Sequence, residues 1–275
     1  MYFNNIQELI YYDKFNDISS IKVYLSYNFT DNDILNNIDI FKKIQQLDFS
    51  ETLNLVHKPQ ITRIPKELIN LKILNCSNTI IKNIPKELIK LQELYCWDTQ
   101  LTEIPKEFIN IQIIDLSKTS ITMVPKEFIN LQELYCSYTQ ITIVPKEFIK
   151  LQKLSCSNTQ ITEIPKELIN LQKLYCQETR IKEIPKELIN LQCLYCNNTN
   201  ITEIPKELVN LQELYCSMTK IPITLNLLKN IICNFITLEE HEANVLRYKK
   251  EIKDIIKNNN KLNNDINNLL CSYIF

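Results

Sequence analysis

The side chains of this 275-residue chain with chemical potential are ten cysteines, two histidines and a Lys-Glu pair that recurs every 20 residues. Cys76, Cys96, Cys136, Cys156, Cys176, Cys196 and Cys216 occupy one position of that period. A file of thiols could form a metal or redox ladder, but a metal needs ligands converging on one point, and these arrive one per period. They align with leucines and alternate with outward residues, so the expectation is a reduced core file in which Cys packs as a small hydrophobe. Cys193 and Cys196 form a Cys-x-x-Cys pair. On a strand, residues three apart face opposite ways, so shared ligation is not expected. Cys193, on the outward side, is the thiol expected to react. His57 and His241 are about nine strands apart and cannot share a site. The repeated pair, such as Lys126-Glu127, reads as a solvated charged face. No His-Glu-x-x-His and no local Cys-His pair occurs, so no catalytic, cofactor or metal site is expected and the chain is not read as an enzyme.

Composition narrows this further. The chain has no glycine and one alanine, Ala243, against an excess of Ile, Asn and Lys. Without glycine there is no phosphate-cradling P-loop, no dinucleotide-binding turn and no nucleophile elbow. Few or no left-handed residues are then expected, confined to Asn, Asp or Lys in connections. The net charge of −1 argues against nucleic acid or an anionic membrane as partner. The first residues lack a basic start and apolar run, and no stretch of about 18 apolar residues occurs. A cytoplasmic protein with reduced cysteines is the expectation.

The elements that hold these residues are set by a repeat. Prolines stand at 65, 85, 105, 125, 145, 165, 185 and 205, each followed by Lys-Glu. In the unit from Leu91 the apolar positions are Leu91, Leu94, Cys96, Leu101, Ile104, Phe108 and Ile109. Leu94-Tyr95-Cys96 alternates in, out, in, as a short strand does. Pro105 lacks a ladder donor and ends the extended part, and Pro-Lys-Glu-Phe-Ile fits a helical or 3-10 turn. A 20-residue unit cannot bury its own apolar face and must stack on its neighbours. About ten strands, roughly 45 Å of sheet at ~4.8 Å each, are expected.

The pattern Leu131-x-x-Leu134-x-Cys136-x-x-Thr139-x-Ile141 resembles that of leucine-rich-repeat proteins, over roughly residues 41–237. The resemblance implies an α/β solenoid with a parallel sheet on the concave face and short turns on the convex face. Two departures are Thr for the usual Asn (Thr79 to Thr219) and Cys for a Leu. The Ile/Asn/Lys bias is similar to that of giant-DNA-virus repeat proteins such as those of mimivirus. It makes a host protein the expected partner.

The ends differ from the block. Residues 1–43 carry apolar runs at near-helical spacing (Ile6, Leu9, Ile10; Ile18, Ile21, Tyr24, Leu25) and predict a helical cap; the same stretch looks faintly like an F-box, which would make the chain a ubiquitin-ligase adaptor. Residues 44–237 form the solenoid, with a seven-residue insertion around 55–60. Leu228-x-x-Ile231-x-Cys233 repeats the strand spacing once more. Residues 238–275 place apolar side chains at heptad spacing, which predicts a C-terminal helix that caps the solenoid or forms a coiled coil and a homo-oligomer.

One outward column reads Asn75, Tyr95, Asp115, Tyr135, Ser155, Tyr175, Tyr195 and Tyr215. Stacked tyrosines could hold bases, but Glu93, Glu133 and Glu213 flank them and no basic stripe compensates. Tyrosines in a file suit protein recognition, with large contact area at low entropy cost. The expected partner-binding residues are therefore Tyr95, Trp97, Tyr135, Tyr138, Tyr175, Arg180, Tyr195 and Tyr215, with Trp97 the best single anchor.

Overall fold

The computed structural model describes residues 1–26, 28–50, 61–221 and 232–233. His57 and the insertion around 55–60 lie outside these residues, as do His241 and the expected helix or coiled coil of 238–275. Twelve parallel strands follow one another in chain order in a single sheet. Eight are the regular three-residue strands β4 (Ile73–Asn75), β5 (Glu93–Tyr95), β6 (Ile113–Asp115), β7 (Glu133–Tyr135), β8 (Lys153–Ser155), β9 (Lys173–Tyr175), β10 (Cys193–Tyr195) and β11 (Glu213–Tyr215). Leu94 pairs with Leu74 and Ile114, and the same 20-residue step links each regular strand to the next. The central residue of each strand is buried because strand side chains alternate faces.

The return segment is built by local sequence. Pro105 sets the turn, and the Phe108 N–H donates to its carbonyl at 3.4 Å, with Ile111 donating to Phe108 at 3.0 Å. These are isolated i to i+3 bonds rather than helices. They turn Leu or Phe inward at each repeat, and Phe108, Phe128 and Phe148 are wholly buried. The last residue of most units is Asn, whose amide bridges repeats: the Asn110 side chain donates to the Ile89 carbonyl at 3.0 Å and Asn130 to Ile109 at 3.1 Å. Where Lys takes that place, Lys90 and Lys150 donate instead to the Asn70 and Asn130 side chains, at 2.8 and 2.7 Å. The buried threonines work within their own repeat. The Thr139 hydroxyl donates to the Cys136 carbonyl at 2.6 Å, and all eight threonines from Thr79 to Thr219 make the matching bond. Thr thus closes the turn, while Asn on the other side ties neighbours together.

The expectation of few left-handed residues is wrong. Each repeat has one, at Asn78, Asp98, Lys118, Tyr138, Asn158, Glu178, Asn198 and Met218, with φ between 53° and 59°. Tyr, Glu and Met also fall outside the expected residue types. The cause is the ladder. After the strand the chain must bend sharply while its N–H still reaches the next repeat: Asp98 donates to the Ser117 carbonyl at 3.0 Å and Lys118 to Ser137 at 2.9 Å. A positive φ meets both demands, and without glycine other residues carry it. Thr99 and Thr139 are not among the positive-φ residues, so the β-branched neighbours are spared.

The N-terminal region departs from a purely helical cap. Three helices are present, α1 (Ile6–Phe15), α2 (Asp31–Asn36) and α3 (Ile38–Phe41), with Asn5 and Thr30 capping the first two. Between them β1 (Tyr2–Phe3) and β2 (Lys22–Leu25) extend the sheet, joining β3 (Gln46–Asp48). Tyr24 and Leu25, placed by their spacing on a helix, are therefore in a strand. Ile18 opens a 3-10 turn, so the F-box-like spacing is not carried by a run of helices. A sheet edge at β3 would leave ladder groups open, and two more strands move that edge outward. Leu47 pairs with Leu74, 27 residues on, which matches the seven-residue excess. At the other end β12 (Ile232–Cys233) joins β11, but Cys233 sits opposite Leu214, not Cys216. Strand register follows the length of the return segment, which the apolar spacing alone did not reveal.

Candidate recognition face

The sheet brings Tyr95, Tyr135, Tyr175, Tyr195 and Tyr215 into one column. Register pairs place Tyr95 beside Asn75 and Asp115, Tyr135 beside Asp115 and Ser155, and Tyr175 beside Ser155 and Tyr195. At the C-terminal end the rings touch. Tyr175 and Tyr195 have centroids 4.8 Å apart at 31°, and Tyr195 and Tyr215 stack at 4.0 Å and 15°. The strand spacing of ~4.8 Å is close to a stacking distance, so adjacent tyrosines in register stack with little adjustment. Tyr95 and Tyr135 are held differently. Their hydroxyls donate to Glu93 at 2.8 Å and Glu133 at 2.5 Å, two residues earlier on the same face. Burial and these carboxylates push both phenols far above their ordinary range. Asp115 between them is raised by burial, against the pull of Ser117.

Lysines join the remaining rings. Lys118 lies 4.9 Å over Trp97 and 6.0 Å from Tyr138, and Lys153 lies 4.8 Å over Tyr135 and 5.9 Å from Tyr175. Such contacts contribute about 0.5–1 kcal/mol at exposed sites and orient the rings. Trp97 is half-buried under its lysine and Tyr138 is exposed at the left-handed position. Arg180 is exposed, beyond the buried Thr179, on a separate file from the tyrosines. The structure therefore joins Tyr135, Tyr175, Tyr195 and Tyr215 in one group and Trp97 with Tyr138 in another, holds Tyr95 to Glu93, and leaves Arg180 on its own file.

Sequence reasoning missed Tyr2 and Tyr24. They continue the column in register with Asp48 and stack at 5.0 Å and 8°. Lys22 sits 4.8 Å over Tyr24 and pairs with the buried Asp48 at 3.1 Å. The signal was present: Val23-Tyr24-Leu25-Ser26 echoes Leu134-Tyr135-Cys136-Ser137.

Cys193 corrects the reactivity expectation. It lies on the outward side yet is buried at 6% exposure, packed by its neighbours, and its thiol donates to Glu213 at 3.0 Å. Burial first, then the Glu213 carboxylate, pushes its pKa up to about 12. Burial also raises Cys96, Cys136, Cys156, Cys176, Cys196 and Cys216 in the core file, Cys156 to about 12 and Cys216 to about 11. Cys76 and Cys96 are in van der Waals and hydrogen-bond reach at 3.4 Å, as free thiols. Among the described residues no cluster of three or more metal-ligating side chains occurs, and no helix is long and apolar enough to cross a membrane. Because the folded thiols bind their protons more tightly, stability is full below about pH 8.5, the ordinary thiol value, and falls as the pH rises toward the folded values. Native alkylation at pH 8 is expected to leave Cys193 and the seven cysteines of the core file unmodified and denaturation to expose them all, as read by mass spectrometry. Rapid native labelling of Cys193 would contradict this.

No protein-family model and no curated protein matches the sequence. Solved structures do. The leucine-rich-repeat protein LIC12759 of Leptospira interrogans is similar at 24% identity and TM-score 0.57, over 78% of this chain and 64% of that one. The functional domain of InlJ from Listeria monocytogenes, which includes a cysteine ladder, is similar at 22% identity and TM-score 0.62, over 74% and 46%. The plant peptide hormone receptor RGFR1, in complex with RGF2, is similar at 24% identity and TM-score 0.59, over 80% and 40%. The chain thus spans less than two thirds of each. Its parallel one-strand units, closed by proline turns around a continuous leucine and cysteine core, form a leucine-rich-repeat solenoid.

Proposed function

We propose that the chain is a non-catalytic recognition module that binds a partner protein across the concave sheet face. The observation that carries this reading is the contiguous platform of Tyr175, Tyr195 and Tyr215, stacked before any partner arrives. Prestacked rings lose little freedom on binding, and interfaces draw most of their energy from a few such aromatic anchors. Lys153 links Tyr135 to that platform, and Lys118 holds Trp97 and Tyr138 together in earlier repeats. The peptide complex of the plant receptor is consistent with a polypeptide ligand for this fold. Fold alone does not assign a partner, and the host proteins suggested by composition are the first to test.

Immobilised full-length chain is expected to retain a set of proteins from cell extract that a Trp97→Ala/Tyr135→Ala/Tyr195→Ala variant loses, with affinity for each weakened by about tenfold or more. All three side chains are partly exposed, so circular dichroism should be unchanged. A correctly folded variant that keeps every partner would sink the concave-face reading.

A further inference from the structure

The geometry points to a second docking surface, on the convex side, whose occupant is a cationic amphipathic helix of a partner protein. Its first component is a continuous apolar file. The residue after each buried Leu or Phe of the turn is aliphatic in all eight repeats, from Ile69 to Val209, and each is about half-exposed or more, Ile109 and Ile129 at 54%. Tight bonds create the file: the Ile109 N–H donates to the Glu107 carbonyl at 2.8 Å, and Ile129 and Ile149 do the same to Glu127 and Glu147. With Phe108 turned inward, Glu107 and Ile109 face out on either side of it. Single exposed aliphatics are ordinary, but a contiguous apolar stripe marks an interaction surface. Folding does not require it, because these side chains contribute little to the core.

The second component is charge. Beside the stripe runs a groove of about 990 Å³, lined from Ile143–Glu147 through the equivalent residues of the next three repeats. Each Lys-Glu pair cancels, and Glu163, Glu183 and Glu203 remain as excess carboxylates. Among the described residues they make no hydrogen bond or ion pair, so their charge faces outward. Nucleic acid and anionic membrane are repelled by such a surface, and lysine or arginine is attracted.

Spacing selects a helix. Repeats advance ~4.8 Å where the strands pair and at least that far on the convex side, and the apolar seam of a helix advances about 5.3 Å per seam residue. At the strand value the two drift apart by about 2 Å over four repeats. Same-side residues of an extended strand lie about 6.7 Å apart and would drift by about 8 Å. A helix lying along the stack can therefore seat one apolar residue on each isoleucine while its lysines cover the groove.

The test uses the full chain and a fluorescent synthetic helix with Leu at heptad a and d positions and Lys beside them. Its controls are a peptide of scrambled order and one with Glu for Lys. Anisotropy is expected to show binding that both controls weaken by about tenfold or more. Ile169→Ser/Ile189→Ser and Glu163→Lys/Glu183→Lys should each weaken it similarly, whereas Tyr135→Ala/Tyr195→Ala on the opposite face leaves it unchanged. Equal binding of the scrambled peptide, or loss in the tyrosine variant and not in the convex ones, would overturn the proposal. The tyrosine variant also separates this surface from the concave one, since each can fail without the other.

Discussion

Replacing Phe128 with alanine is expected to destabilise the protein by about 3–5 kcal/mol, whereas replacing the adjacent Ile129 should change stability by no more than about 0.5 kcal/mol. The two residues are neighbours in sequence and similar in hydropathy, but Phe128 is wholly buried and Ile129 is 54% exposed. Phe128 also stands between Phe108 and Phe148 in the same file, so its loss opens a cavity against both adjoining repeats. A solenoid is held by nearest-neighbour interfaces, and a void in the middle weakens two of them at once. Urea denaturation of both variants, followed by circular dichroism, reads the difference. A Phe128→Ala variant within about 1 kcal/mol of the parent would show that the site collapses to fill the void.

The left-handed position gives the second large effect, in the opposite direction. Asn in place of Tyr138, Glu178 and Met218 is expected to raise stability by about 1 kcal/mol at each site, because Asn tolerates φ near +57° better than these residues do. The sites are two repeats, about 10 Å, apart, so the gains should add. Met218 is the cleanest, since Tyr138 also gives up its contact with Lys118. Asn158→Val should move the other way by about 1–2 kcal/mol, as a β-branched side chain meets the following carbonyl. If thermal unfolding shows Asn158→Val equal to the parent, the backbone does not hold a positive φ there.

Much of this molecule was legible because the repeat is local and redundant. The 20-residue step, the proline turn and the alternation around Leu94, Leu134 and Leu174 specify strand, turn and core face, and β3 to β12 are the ten strands that pattern implies. The cysteine file was legible for the same reason: a residue that aligns with leucine in every unit must share leucine's environment. The outward tyrosines followed from parity alone.

What escaped the sequence depends on atoms brought from elsewhere. Tyr2 and Tyr24 join the tyrosine column only because β2 pairs with β3 and β1 with β2, over return segments whose length no repeat constrains. Cys193 is outward by parity and nonetheless buried, because its burial is decided by side chains on adjacent strands, Glu213 among them. Lys118 and Lys153 are outward positions in the sequence, but their contacts with rings one repeat away exist only in the fold. The eight positive φ angles are set by an N–H that must reach the following repeat, a demand invisible in any single unit. The sequence by itself determined the period, the inward face and the outward column, since each rests on spacing along one chain. The tertiary structure decided which outward residues are accessible, which rings touch and where the backbone bends left, since each depends on contacts between neighbouring repeats.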